Sequence, residues 1–365
     1  VDEIAVGVDQ VGIAGEVPTV LYIVALPLVR EVAAAGRAFH RQMTDLAARQ
    51  LAALVVEHAG HVARHGRAGG ARPGMRLVVR DEDVQQLGGA DAVEDVAADA
   101  GAPLLAEVAR ETAAQGLIDA VENLAGQRVY IFTGTEDKVV DSSVVDTTRR
   151  FYEMLGVAPA AIHYENTVPA GHSIITDNPE DNPLGVNRPP YINQGGFMQS
   201  RVILEHIYGP LKPPVERTTG RVLRFDQREF FAGNPRASMS EFAYAYVPKA
   251  VEEGAPCRVH VALHGCKQGY NYVNFVNGQP DLENCPPYGN RYFTTTGYNE
   301  MADANNLIIL YPQAEGTDNA VSQNPEGCWD WWGYTAEDPR SPDYYSKQAI
   351  QIQAIHGMLQ RLGGQ

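Results

Sequence analysis

The chain has 365 residues, of which 44% are hydrophobic and 20% are charged, and its formal net charge is −16. This length is enough for one large domain or two ordinary ones with a buried core. The negative charge argues against nucleic acid or an anionic membrane as partner, because phosphate contacts need a basic surface. No apolar run reaches the roughly 18 residues of a transmembrane helix. The longest, residues 17–29, follows acidic residues and is interpreted as a core strand or helix, not a targeting segment.

The composition changes sharply along the chain. The first third is rich in Ala, Val, Gly, Arg and Asp, with no Asn before Asn123, no Lys before Lys138 and no Ser before Ser142. The remainder is aromatic and rich in Asn and Pro. We therefore expect two parts, an atypical segment over residues 1–114 and a main domain over residues 115–365.

Parts of the first segment have a helical pattern, mainly residues 30–65. His58, His61 and His65 would share one face of that helix, as in a metal site. No carboxylate or cysteine is placed to complete the ligand set, so no metal is predicted.

From residue 115 onward, strand and helix patterns alternate. Strands are predicted at 127–134, 161–168, 242–251, 257–265 and 306–313, and helices at 144–156, 197–209 and 346–362. Such alternation predicts an α/β fold, a mostly parallel sheet with helices on both faces. No Gly-x-Gly-x-x-Gly follows any strand, which argues against a nucleotide-binding oxidoreductase.

Polar residues follow three of the predicted strands, where parallel sheets place their active sites. Asp137 could orient an imidazole or simply cap the next helix. His172 could act as a general base or lie solvated in its loop. Gly265 and Cys266 could present a backbone N–H to a developing oxyanion, or form a turn held by a disulfide. The order Asp before His matches the α/β-hydrolase triad.

The four cysteines all lie late in the chain, at Cys257, Cys266, Cys285 and Cys328. An even, clustered set favours one or two disulfides and an oxidising compartment, and four buried thiols are the alternative. Their spacing does not indicate a zinc site.

Three tryptophans lie within four residues, at Trp329, Trp331 and Trp332. Core packing is the simplest role for such residues. Three so close together cannot all point inward, however, so at least one is expected to be exposed to a ligand.

The chain from about residue 115 resembles the extracellular poly(3-hydroxybutyrate) depolymerases of the single-domain type. The resemblance rests on the segments VYIFTGTEDKVV, PAGHSIITD, YVPKA, HVALHGCKQGY, TGYNEMADANNLIILYPQA and NPEGCWDWWGY. It implies a circularly permuted α/β-hydrolase fold, a serine-esterase activity on polyester or hydroxyalkanoate oligomers, no cofactor, and an extracellular or periplasmic location.

The same resemblance implies roles for individual residues. Asp137 would be the triad acid, His172 the general base, and Cys266 the donor of an oxyanion-hole N–H. Cys328 would pair with Cys266. Trp329, Trp331 and Trp332 would wall a polyester-binding crevice.

One part of that family's pattern is missing. The nucleophile elbow Gly-x-Ser-x-Gly should precede the acid, yet residues 1–141 contain neither Ser nor Cys. Without a nucleophile no acyl-enzyme forms. Three explanations are open. In the first, residues 1 to about 110 are a shifted-frame or wrong-strand reading of the gene and should not pack against the sheet. In the others, the chain is an inactive homologue that binds polyester, or another nucleophile has replaced serine.

Overall fold

The computed structural model describes residues 90–363 except 273–274, 277–278, 281–288 and 339–340, with residues 90–100, 275–276 and 280 described by their backbone alone. The predictions made for residues 17–29 and 30–65, for the three histidines there, and for Cys285 lie outside the described residues. Most of the segment 1–110, where a nucleophile elbow would be expected, also lies outside the described residues.

The helices follow one another along the chain in this order: α1 (Ala90–Ala114), α2 (Ser142–Met154), α3 (Gln199–Tyr208), α4 (Lys249–Glu252), α5 (Arg291–Thr295), α6 (Tyr298–Asn305) and α7 (Ile350–Gly363). The strands are β1 (Val129–Phe132), β2 (Ile162–Glu165), β3 (Ile174–Thr176), β4 (Asn182–Pro183), β5 (Ile192–Gln194), β6 (Arg221–Asp226), β7 (Phe242–Val247), β8 (Arg258–Val261), β9 (Phe275–Val276), β10 (Gln279–Pro280), β11 (Leu307–Tyr311), β12 (Thr317–Asp318) and β13 (Gln323–Asn324). Each strand and helix predicted from residue 115 onward is present, although α7 begins at Ile350 and not near residue 346.

The largest sheet has the strand order β6-β7-β11-β8. β8 and β11 are parallel, as the alternating pattern predicts, and so are β1 and β2 in a second sheet and β3, β5 and β4 in a third. β6 and β7 run antiparallel to their neighbours and form one edge of the large sheet. The sequence pattern did not indicate β6, whose side chains are mostly exposed.

β7, β8 and β11 of the large sheet are buried on both faces, as their continuous apolar sequences require. In β11, Ile308 and Leu310 pack into one cluster together with Ile355 and Met358 of α7. The alternate residues Leu307, Ile309 and Tyr311 pack into a second cluster with Met301 of α6 and Leu204 of α3. Helices therefore cover both faces, and the predicted α/β architecture is confirmed.

The end of the atypical segment packs in the described structure. Ala102 and Ala106 of α1 are fully buried, and Ala106 lies in a cluster with Val121 and Leu155. The Arg110 guanidinium donates to the backbone oxygen of Met154 over 2.7 Å. Residues 101–114 are thus packed, whereas the expectation for residues 1–100 falls on side chains outside the described residues.

Candidate active site

The structure brings Asp137 and His172 into direct contact. His172 Nδ1 lies 2.9 Å from Asp137 Oδ2. The other carboxylate oxygen, Oδ1, accepts from the backbone N–H groups of Val139 and Val140, both at 2.9 Å. An ionised carboxylate only accepts hydrogen bonds, so Nδ1 carries the proton and Nε2 is left as a base. Nε2 has no partner in the described part of the chain.

The two loops meet because β1 and β2 are parallel neighbours, so both loops leave the same edge of the sheet. The loops are also bonded to each other: Thr135 N–H donates to Val168 over 2.8 Å, and Glu136 N–H donates to Ala170 over 3.1 Å. Gly134 permits this contact, because a Cβ there would lie 2.0 Å from the Ala170 carbonyl oxygen.

Asn187 holds the acid loop and the base loop together. Its Oδ1 accepts from the N–H of Lys138 and from the N–H of His172, both at 2.9 Å. Its Nδ2 donates to the carbonyl of Glu136 at 2.9 Å and to that of Gly185 at 3.2 Å. One amide therefore satisfies backbone groups on both sides of the Asp–His pair.

The Asp–His pair is buried to different degrees on its two sides. The Asp137 side chain is 8% exposed, whereas that of His172 is 29% exposed. The Tyr191 ring packs edge-on against the imidazole, with ring centroids 5.3 Å apart. The acid is shielded from water while the imidazole remains open to an incoming group.

A tight loop follows β8 at residues 264–268. The N–H of Gly265 donates to Gln268 Oε1 over 2.6 Å, that of Lys267 to the Glu326 carbonyl over 2.8 Å, and that of Gln268 to the Gly265 carbonyl over 3.2 Å. Within the described residues, only the N–H of Cys266 in residues 265–268 lacks a hydrogen-bond partner. A donor left unpaired in such a loop is suited to an external oxyanion.

The buried side chain of His264 stabilises this loop through hydrogen bonds to the backbone. Its Nε2 accepts from the N–H of Ala314 at 3.0 Å, so Nδ1 carries the proton and donates to the Gly265 carbonyl at 2.7 Å. Burial lowers the pKa of His264 to about 4, which keeps the ring neutral. The His264 carbonyl accepts from the indole N–H of Trp329 at 3.0 Å.

The disulfide expected between Cys266 and Cys328 is present. It ties the loop after β8 to the tryptophan segment. Cys257, another disulfide candidate, is a free and half-buried thiol, and the remaining candidate, Cys285, lies outside the described residues. The Cys257 side chain packs as an apolar group against the core cluster of the large sheet, and burial raises its pKa.

The three tryptophans differ in exposure. Trp332 is 40% exposed, Trp331 is half-buried, and their rings lie 5.0 Å apart. Trp329 is buried at 8%, so its ring packs beneath the loop after β8 and does not line an open crevice. Asp330 organises the turn, since its carboxylate accepts from successive backbone N–H groups from Trp332 onward.

Neither a metal cluster nor a membrane span is found in the described ranges. No group of three His, Cys, Asp or Glu side chains there could hold a metal ion. The helices there are too short or too polar to cross a bilayer.

Comparison with known proteins identifies the family. No family model matches the chain. The polyhydroxybutyrate depolymerase of Talaromyces funiculosus is 35% identical to it over 256 residues, covering 67% of this chain and 68% of that protein. The chain belongs to the polyhydroxybutyrate depolymerase family. The poly(3-hydroxybutyrate) depolymerase of Delftia acidovorans is 36% identical over 273 residues, covering 73% of this chain but 49% of that protein. The chain therefore spans about half the length of that relative.

Solved depolymerase structures share the fold. The crystal structure of PHB depolymerase from Penicillium funiculosum is 31% identical, with a TM-score of 0.58 over 68% of this chain and 74% of that one. A PHB depolymerase complexed with an R3HB trimer matches equally well. The resemblance read from the sequence motifs is thus confirmed.

Sequence reasoning predicted Asp137, His172 and Cys266 as site residues but did not predict Asn187 and Gln268, which the structure connects to them. Gln268 lies within the segment HVALHGCKQGY but was given no role there, Asn187 lies in none of the matching segments, and their bonding partners lie up to 78 residues away in the chain. The local sequence does not show which distant backbone groups these two amides bond.

Proposed function

We propose that this depolymerase-family chain hydrolyses ester bonds in poly(3-hydroxybutyrate) or short 3-hydroxyalkanoate esters. The observation that carries the proposal is the 2.9 Å contact between His172 Nδ1 and Asp137 Oδ2, with Nε2 left without a partner among the described residues. The N–H of Cys266, which has no partner among the described residues, adds a donor for the oxyanion.

The reaction needs no cofactor in this scheme. His172 Nε2 accepts the proton of a nucleophilic hydroxyl as its oxygen attacks the ester carbonyl, and Asp137 stabilises the imidazolium. The Cys266 N–H donates to the oxyanion of the tetrahedral intermediate. His172 then returns the proton to the departing hydroxyl of the polyester, and water repeats the sequence to release the acid.

The serine elbow that supplies the family's nucleophile is missing from the sequence, since no Gly-x-Ser-x-Gly precedes Asp137, so the nucleophile of this scheme is not assigned to a residue. A second function, binding of polyester without cleavage, is favoured by the aromatic surface of Trp331 and Trp332. A flat apolar ring exposed to water suits adsorption to an apolar polymer.

We further propose an extracellular or periplasmic location with polyester or its oligomers as the partner. The disulfide between Cys266 and Cys328 supports this location, because such bonds persist in oxidising compartments.

The test combines product release with identification of the nucleophile. The purified chain is incubated with an (R)-3-hydroxybutyrate trimer and with polymer film, and released 3-hydroxybutyrate is measured. A fluorophosphonate probe, which labels activated hydroxyls, is then located by peptide mass spectrometry. His172→Ala should abolish both release and labelling. His356→Ala, on the exposed side of α7, should leave both unchanged.

The outcomes separate the two functions. Release together with a labelled hydroxyl residue supports hydrolysis and names the nucleophile. If the folded chain adsorbs to film but neither releases product nor takes up the probe, hydrolysis is refuted and binding is the function. If it does none of these, both functions are refuted.

A further inference from the structure

The side chain of Gln268 joins two parts of the site that are distant in sequence. It is buried, with 7% of its surface exposed. Oε1 accepts from the N–H of Gly265 at 2.6 Å. Nε2 donates to the carbonyls of Pro190 at 2.8 Å and Tyr191 at 3.0 Å. Carbonyls only accept, so the amide can take no other orientation, and both of its N–H groups are used.

At one end, Gln268 sets the direction of the loop that carries the oxyanion donor. The Gly265 N–H is bonded to its side chain and the Gly265 carbonyl to its main chain. The peptide that follows Gly265 contains the N–H of Cys266, which has no partner among the described residues. Fixing both polar groups of Gly265 therefore limits the rotation of that peptide.

At the other end, Gln268 holds the segment against which the general base packs. Tyr191 has a φ of 54°, in the left-handed region that a bulky residue rarely adopts. Its carbonyl accepts from Gln268 and also from the N–H of Ile174 at 3.0 Å. Its ring packs edge-on against His172. A strained residue of this kind needs its surroundings to hold it in place.

We propose that Gln268 is a positioning residue that couples the Cys266 N–H to the His172 ring, so that donor and base keep a fixed relative geometry. The role of this coupling in catalysis rests on the proposed hydrolysis. The coupling itself does not, and it can be measured without turnover.

The experiment compares Gln268→Met and Gln268→Glu with the exposed controls Gln353→Met and Gln353→Glu on α7. Met has a similar length but forms no equivalent bonds. Protein labelled with ¹⁵N-cysteine and ¹⁵N-histidine reports the Cys266 amide and the His172 ring by NMR. Kinetics use p-nitrophenyl butyrate, a small soluble ester.

With Gln268→Met, we expect the Cys266 amide and the His172 ring resonances to shift together. If the chain hydrolyses the ester, kcat falls roughly 10- to 100-fold, less than the loss of a whole oxyanion donor, with KM within about twofold. In Gln268→Glu, a protonated carboxyl can still accept from Gly265 and donate to one carbonyl, whereas the ionised form faces two carbonyl oxygens. Both resonances should then move toward their wild-type positions at acidic pH, and neither Gln353 control should show this.

A shift of the Cys266 amide alone, with His172 unchanged, refutes the coupling. So does a Gln268→Met protein whose two resonances match the wild type. Failure of both Gln268 variants to fold also refutes it, because the proposed role leaves the two main core clusters intact. Absence of hydrolysis in the wild type counts against the proposed function only, since the NMR comparison still decides the coupling.

Discussion

The disulfide between Cys266 and Cys328 should provide a large share of the stability of this domain. The two cysteines are 62 residues apart in sequence, so reduction releases a loop of about that length in the unfolded chain. With the chain-entropy relation for cross-links, this loop corresponds to about 4.3 kcal/mol at 25 °C. Domains have a total stability of about 5–15 kcal/mol, so the loss is a major fraction.

Urea unfolding of the oxidised and the phosphine-reduced protein measures this difference directly, because the side chains are otherwise identical. We expect the free energy of unfolding to drop by about 4 kcal/mol and the Tm by about 8 °C for a domain of this size. Cys257→Ala is the control, since its thiol closes no loop. The free energy of unfolding of Cys257→Ala should fall on reduction by the same amount as that of the wild type.

A drop of less than about 1 kcal/mol would refute the reasoning. It would mean that the unfolded chain already keeps the two segments close, so that the cross-link removes little entropy. Reduction should also lower any ester hydrolysis, because Cys266 carries, beside the bond, the N–H proposed to donate to the oxyanion.

Three further predictions concern the site and its support. Asp137→Asn should lower kcat by about 10⁴-fold with the fold intact, because the amide would hold His172 in the wrong tautomer. A kcat equal to that of the wild type would contradict the role of Asp137 as the acid. Burial lowers the pKa of His260 and His264 from 6.5 to about 4. The unfolded chain therefore binds these protons first as pH falls, and stability should decrease from pH 6.5 to 4 by up to about 3 kcal/mol per histidine. Urea unfolding across that range tests this, and a flat profile contradicts it. Trp332→Ala should weaken adsorption to polyester film several-fold in a depletion assay. Val222→Ala, at an equally exposed position on β6, should not. Equal adsorption of the two variants would contradict the proposed role of the aromatic surface in binding polyester.

Several features of this protein follow from local patterns in the sequence. Apolar runs such as residues 306–313 predict buried strands, and β11 is buried on both faces. Asp137 and His172 follow successive strands, and parallel strands end at one edge, so their meeting at 2.9 Å could be anticipated. Three tryptophans within four residues could not all be buried, and Trp332 is exposed.

Other features were decided only by the tertiary structure. Trp329 is the buried tryptophan because its indole N–H donates to the His264 carbonyl, 65 residues away in the chain. For Cys257 the sequence left a disulfide and a buried thiol open, and in the folded chain it packs as an apolar side chain against the core cluster of the large sheet. Asn187 and Gln268 bond backbone groups brought close by folding, and a single amide in a sequence has no pattern to reveal such partners. Hydrophobic periodicity reports which residues are buried, whereas hydrogen bonds between distant loops depend on distances that only the folded chain sets.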